Sequence, residues 1–162
     1  MAQANKQFVC TYDAPLDDVM AMLLDAEFRT KVSEAQGLLS YDISITTDGD
    51  ATVVVIDKQQ PAAGLPAVAT KLIGDRAHIV QRETWTGTEM TLTLDIIGKP
   101  GKATGEVRVV HDGGKTAETI DLEVTVNLPV IGGKLAGIIV DQFVAAMEAE
   151  YAVGKSWLAG ER

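Results

Sequence analysis

Polar and apolar positions change period three times along the chain. Lys6 to Tyr12 alternates, with Phe8, Cys10 and Tyr12 on one face, which predicts a first strand. Asp13 and Pro15 then open a helix whose apolar side is Val19, Met20, Leu23 and Leu24. An aspartate suits a helix start, and proline is tolerated where its missing donor would have had no intrahelical partner. A second helix is predicted over Glu27 to Ala35, with Phe28 and Val32 facing in and Gly37 ending it.

After Gly37 the period falls to two. Leu39, Tyr41, Ile43 and Ile45 alternate with polar residues, the pattern of a strand with one wet face. The Asp48-Gly49-Asp50 turn leads into a strand over Ala51 to Lys58, where Val53 to Ile56 is too uniformly apolar to assign a face. Pro61 to Pro66 reads as a loop and Ala67 to Ile73 as one or two helical turns. Strands follow over Ala77 to Thr86, Met90 to Ile97, Thr104 to His111 and Thr116 to Asn127, separated by glycine-bearing turns. Consecutive strands with short turns should pair antiparallel, so the sheet is a meander whose single dry face needs a cover.

The period then lengthens for good. From Gly133 to about Ala159 there is no proline, and Leu135, Ile139, Phe143, Ala146, Met147 and Trp157 wind onto one side, opposite Lys134, Asp141, Glu148 and Lys155. This is an amphipathic helix of roughly seven turns, long enough to span a small domain. It supplies the cover the sheet needs.

Composition narrows the function classes. The 162 residues suit one domain, residues 1–162. A net charge of -9, from 23 acidic and 14 basic side chains, repels phosphate backbones and anionic headgroups, so no nucleic acid and no stable membrane anchoring is expected. The polar Met1 to Lys6 lacks an apolar run, and no segment approaches the ~20 apolar residues that cross a bilayer. The lone Cys10 fits a reducing compartment, and a cytoplasmic location is expected. Neither closely spaced histidines nor an acidic loop pattern marks a metal site, and no cofactor is expected. Gly132-Gly133-Lys134 lacks the spacing and the following Ser or Thr of a phosphate loop.

Two carboxylates stand out. Alternation places Ile79, Gln81, Glu83 and Trp85 on one face of the fourth strand, so Glu83 points with Trp85 into the interior. Helical winding places Glu150 between Phe143, Met147 and Trp157. Each is an anchor or acid-base group for a ligand, or, as the favoured reading, a partnered structural carboxylate neutralised by Arg29, Lys31 or Arg82. Tyr12 and Tyr41 offer hydroxyls on inward faces, with a core role favoured, while His78 and His111 are expected at the surface.

Element order, together with Arg82-Glu83-Thr84-Trp85, Leu128-Pro129-Val130-Ile131-Gly132-Gly133-Lys134 and Glu148-Ala149-Glu150, resembles the START-like, or helix-grip, superfamily of lipid-transfer domains, polyketide cyclases and birch-pollen allergens. Within it the chain is similar to an actinobacterial branch of unknown function. The resemblance implies an α+β helix-grip fold, a curved antiparallel sheet in the order β-α-α-β-β-β-β-β-β-α wrapped around the C-terminal helix. It also implies an apolar cavity between them, with mouth loops at Pro61 to Pro66 and Pro129 to Gly133.

The leading reading is binding or transport of a hydrophobic small molecule, lipid, fatty-acyl or polyketide-like, against Trp85, Leu92, Leu94, Leu122, Val124, Ile139, Phe143 and Met147. Tyr41, Gln81, Glu83 and Glu150 would orient it. One rival is a cyclase or aromatase using an inward carboxylate. The other is an interaction module whose pocket is filled by side chains and which works through its surface or as a homodimer. A cavity separates the first two readings from the third.

Overall fold

A computed structural model describes residues 2–162. Strand β1 (Ala2–Tyr12) is followed by helices α1 (Leu16–Leu23) and α2 (Ala26–Ala35), strands β2 (Ser40–Asp48) and β3 (Ala51–Pro61), and a short helix α3 (Ala67–Ile73). Strands β4 (Arg76–Thr86), β5 (Glu89–Ile96), β6 (Gly101–Asp112) and β7 (Lys115–Val126) lead to helix α4 (Gly132–Leu158). This is the expected α+β helix-grip arrangement.

The sheet order is β1-β7-β6-β5-β4-β3-β2, all antiparallel. β2 to β7 form the meander, joined by short turns except between β3 and β4, where the connection carries α3. β1 closes the far side by pairing with β7, from Ala2 opposite Val126 to Tyr12 opposite Thr116. That long-range ladder extends β1 four residues beyond the alternating Lys6 to Tyr12, since a backbone ladder asks little of Gln3 and Asn5. β6 likewise starts at Gly101 rather than Thr104.

Capping differs at the two short helices. Asp25 caps α2, accepting from the backbone of Glu27 at 2.8 Å and Phe28 at 3.2 Å. Pro15, not Asp13, occupies the N-cap of α1, and its buried side is Val19, Met22 and Leu23, with Met20 and Leu24 only partly covered. Gly37, at φ 70°, takes the left-handed conformation that stops the chain after α2.

α4 lies across β1 and β7 and touches α1, α2 and α3. Trp157 meets Phe28 of α2 edge to face at 5.6 Å, and Tyr151 meets Tyr12 of β1 at 5.2 Å. Gly154 permits this approach: a Cβ there would sit 2.8 Å from Tyr12 Cε1. Among the described residues no helix is long and apolar enough to cross a membrane.

Candidate functional site

Between α4, α2 and strands β3 to β7 lies a cavity of about 110 Å³. Ten of the residues singled out by pattern line it: Gln81, Glu83, Trp85, Leu92, Leu94, Leu122, Ile139, Phe143, Met147 and Glu150. Two do not. Tyr41 sits half-buried on the edge strand β2, where its hydroxyl donates to Glu34 of α2 at 3.3 Å. The half-buried side of this edge strand meets α2 rather than the cavity. Val124 is fully buried but packs in the core away from the cavity wall.

The hydrogen-bonded side chains of the polar end come from three elements. Arg29 of α2 donates through both terminal nitrogens to Glu83 of β4, at 2.7 and 2.6 Å, and through Nε to the Leu23 carbonyl at 2.8 Å. Trp85 Nε1 donates to Glu83 at 2.9 Å and Gln81 Nε2 at 2.5 Å. Lys58 of β3 donates to Gln81 at 2.8 Å. The chain Lys58, Gln81, Glu83, Arg29 is therefore one connected network with every named donor engaged. Glu83 is the partnered carboxylate expected of it: burial would raise its pKa, but Arg29, then Trp85 and Gln81, hold it below the usual carboxylate value. On Arg29, burial works downward and is outweighed by Glu83, so the guanidinium stays charged.

Glu150 corrects the favoured reading. Among the described residues no cation lies within ion-pair distance of it, because Arg29 is committed to Glu83, Lys31 rests over the Trp157 ring at 5.8 Å, and Arg82 is exposed. Burial, only partly countered by Arg29, raises its pKa. Facing the same cavity is Glu118 of β7, 3% exposed, whose Oε1 has no hydrogen-bond partner. Its pKa is raised by burial first and then by Glu150.

Glu118 and Lys58 are the functional candidates that pattern reading passed over. Carrying the inward set Ile120, Leu122, Val124, Val126 back two residues reaches Glu118, so its signal was present. Lys58 shares a face with Val54 and Ile56, but the apolar run on both faces of β3 hid which face was inner. Burial brings the Lys58 ammonium down to about 8 against the opposing pull of Glu83 and Glu150.

A second cavity of about 100 Å³ lies beneath α3, lined by Leu65, Ala69, Leu72 and Ile138. Ile79, Ile96 and Ile139 line both cavities, as do Gln60 and Gln142, whose side chains meet at 3.3 Å. These five residues form the partition. No group of three His, Cys, Asp or Glu able to hold a metal occurs among the described residues. His78 lies at the surface with Nε2 2.7 Å from Asp57.

The model of a family described as protein of unknown function (DUF2505) matches residues 7–158. No curated protein matches. Among solved structures, a START superfamily protein from Mycobacterium smegmatis is similar at 17% identity and TM-score 0.56, over 94% of this chain and 98% of that one. Norcoclaurine synthase from Thalictrum flavum is similar at 10% identity and TM-score 0.61, over 94% and 86%. The di-domain ARO/CYC BexL from the BE-7585A biosynthetic pathway is similar at 12% identity and TM-score 0.65, with 96% of this chain covering 50% of that one. At these identities the likeness is one of fold.

Proposed function

This chain belongs to the DUF2505 family, and from that premise we propose that it binds a small, largely apolar molecule between the sheet and α4. The observation that carries the reading is the cavity itself: Leu92, Leu94, Leu122, Phe143 and Met147 surround space that their side chains leave open. A core packed for stability alone would close it, since each unfilled volume forfeits dispersion contacts.

The volume sets the ligand's size. About 110 Å³ approaches the space known to hold one benzene-sized ring, so a lipid tail or fused polyketide needs the neighbouring cavity too. Burial at about 25 cal/mol per Å² gives a single ring only a few kcal/mol before association costs are subtracted. Useful affinity has to come from the polar end.

The cyclase-type alternative is favoured by one observation. Burial raises the carboxyl pKa of both Glu118 and Glu150 above the usual value, the direction a general acid needs. Glu83 is removed from that role because Arg29 occupies both its oxygens.

The test is native mass spectrometry of the purified protein beside a denatured sample. A discrete extra mass lost on denaturation is expected. A bare protein that also shows no thermal shift with toluene, whose ring matches the cavity, would sink the binding reading.

A further inference from the structure

The cavity's polar end is unevenly provided. Two cations, Arg29 and Lys58, face three carboxylates, Glu83, Glu118 and Glu150. Both cations are already engaged, Arg29 by Glu83 and the Leu23 carbonyl, Lys58 by Gln81. The two remaining carboxylates come from opposite walls, Glu118 from β7 and Glu150 from α4, and both are buried. Glu118 lines the cavity, and its buried Oε1 has no hydrogen-bond partner. An unpaired buried acceptor normally costs stability and points to something missing from the site.

We propose that Glu118 and Glu150 form a seat for a protonated amine, so that the ligand is a small amphipathic amine whose ammonium lies between them and whose apolar body lies against Leu92, Leu94 and Phe143. The inference rests on the cavity-binding reading and gives that site a ligand class. An ammonium offers several N–H donors, which is what two acceptor-only carboxylates lack, and hydrogen bonds to ionised partners are about twice as strong as neutral ones.

Charge balance points the same way. With all five groups ionised, the enclosed end carries one excess negative charge. One proton held by the Glu118 and Glu150 pair restores neutrality when the site is free of ligand, and an arriving ammonium replaces that proton. The other groups facing the pair do not supply the charge. Cys10 and Tyr12 on β1 are buried, and burial, then Glu118 and Glu150, push both upward, so they stay neutral. Binding of an amine is thus coupled to proton release, while binding of a neutral isostere is not.

The experiment is calorimetric titration of the full chain at pH 7 with benzylamine, benzyl alcohol, benzoate and toluene, repeated in buffers of different ionisation enthalpy. Benzylamine is expected to bind at least about tenfold more tightly than benzyl alcohol. Its apparent enthalpy should vary with the buffer in the sense of proton release, whereas that of benzyl alcohol should not. Glu118→Gln is expected to bring the amine-to-alcohol ratio to about one. The proton release is read on the unaltered chain, so the inference stands or falls without the variant. Benzyl alcohol or benzoate binding as well as benzylamine, or no release of protons, would overturn the amine seat and leave the cavity reading standing. If none of the four probes binds, the amine seat falls, and the cavity reading falls with it where the native spectrum also shows a bare protein.

Discussion

Glu83 and Glu118 are two buried carboxylates of opposite character within one cavity. Glu83 is satisfied four times over, and its loss would strand Arg29, which is 3% exposed. Glu83→Gln should therefore cost about 3–5 kcal/mol in denaturant unfolding, as breaking a buried pair does. Arg29→Met with Glu83→Leu together should cost less than the sum of the two single changes, because neither charge is then left unpaired. Glu118 behaves the other way. Its pKa is raised in the folded chain, so its contribution is fully present below the unfolded value and is lost as pH rises through the folded one. Glu118→Gln removes that loss. The variant should match the parent near pH 4 and exceed it at pH 8 by about 1–3 kcal/mol, read by thermal or urea unfolding across that range. A gain that shrank with rising pH would refute the assignment.

At the scale of elements, the contact between α4 and β1 depends on a residue with no side chain. Glycine inside a helix ordinarily costs about 1 kcal/mol relative to alanine. At Gly154 the sign reverses, since a Cβ would meet Tyr12 Cε1 at 2.8 Å and its hydroxyl at 3.0 Å, and the ring is fully buried between sheet and helix. Gly154→Ala should destabilise by about 1–3 kcal/mol. In a Tyr12→Leu background the same change should be neutral or stabilising. Equal losses in both backgrounds, measured by chemical denaturation, would show that Tyr12 is not the obstacle. The turn before α4 carries a comparable constraint: Val130, fully exposed, adopts φ 68°, a left-handed conformation unfavourable to a β-branched residue.

At the scale of the molecule, ligand size is set by the partition between two cavities. Ile139 belongs to both walls, with Ile79 and Ile96 beside it. Ile139→Ala should join the spaces at a cost of about 2–5 kcal/mol in stability. In return it should admit longer apolar chains, so that affinity along an n-alkylamine series continues to rise past the length at which the parent levels off. Isothermal titration of both proteins with the same series checks this. An identical plateau in both would mean that the second cavity does not communicate with the first.

Much of this architecture was legible because periodicity is a local property. Met90, Leu92 and Leu94 alternate whatever lies opposite them, and α4 shows its apolar stripe along its own length. The inward direction of Glu83 followed from its two-residue spacing to Trp85, and its need for a partner followed from burial. Arg29 was one of three eligible cations; choosing it required the packing of α2 against the sheet, which left Lys31 over Trp157 and Arg82 outside.

Sequence alone determined the element order, the dry and wet faces of the later strands, and the presence of carboxylates on inward faces. Tertiary structure decided which charges meet. Convergence of Glu118 with Glu150, and the commitment of Arg29 and Lys58 elsewhere, depends on strands and helices far apart in the chain, brought together by burial and register. It also decided that side chains leave a cavity unfilled, because packing volume belongs to all the walls at once and to no single stretch of residues.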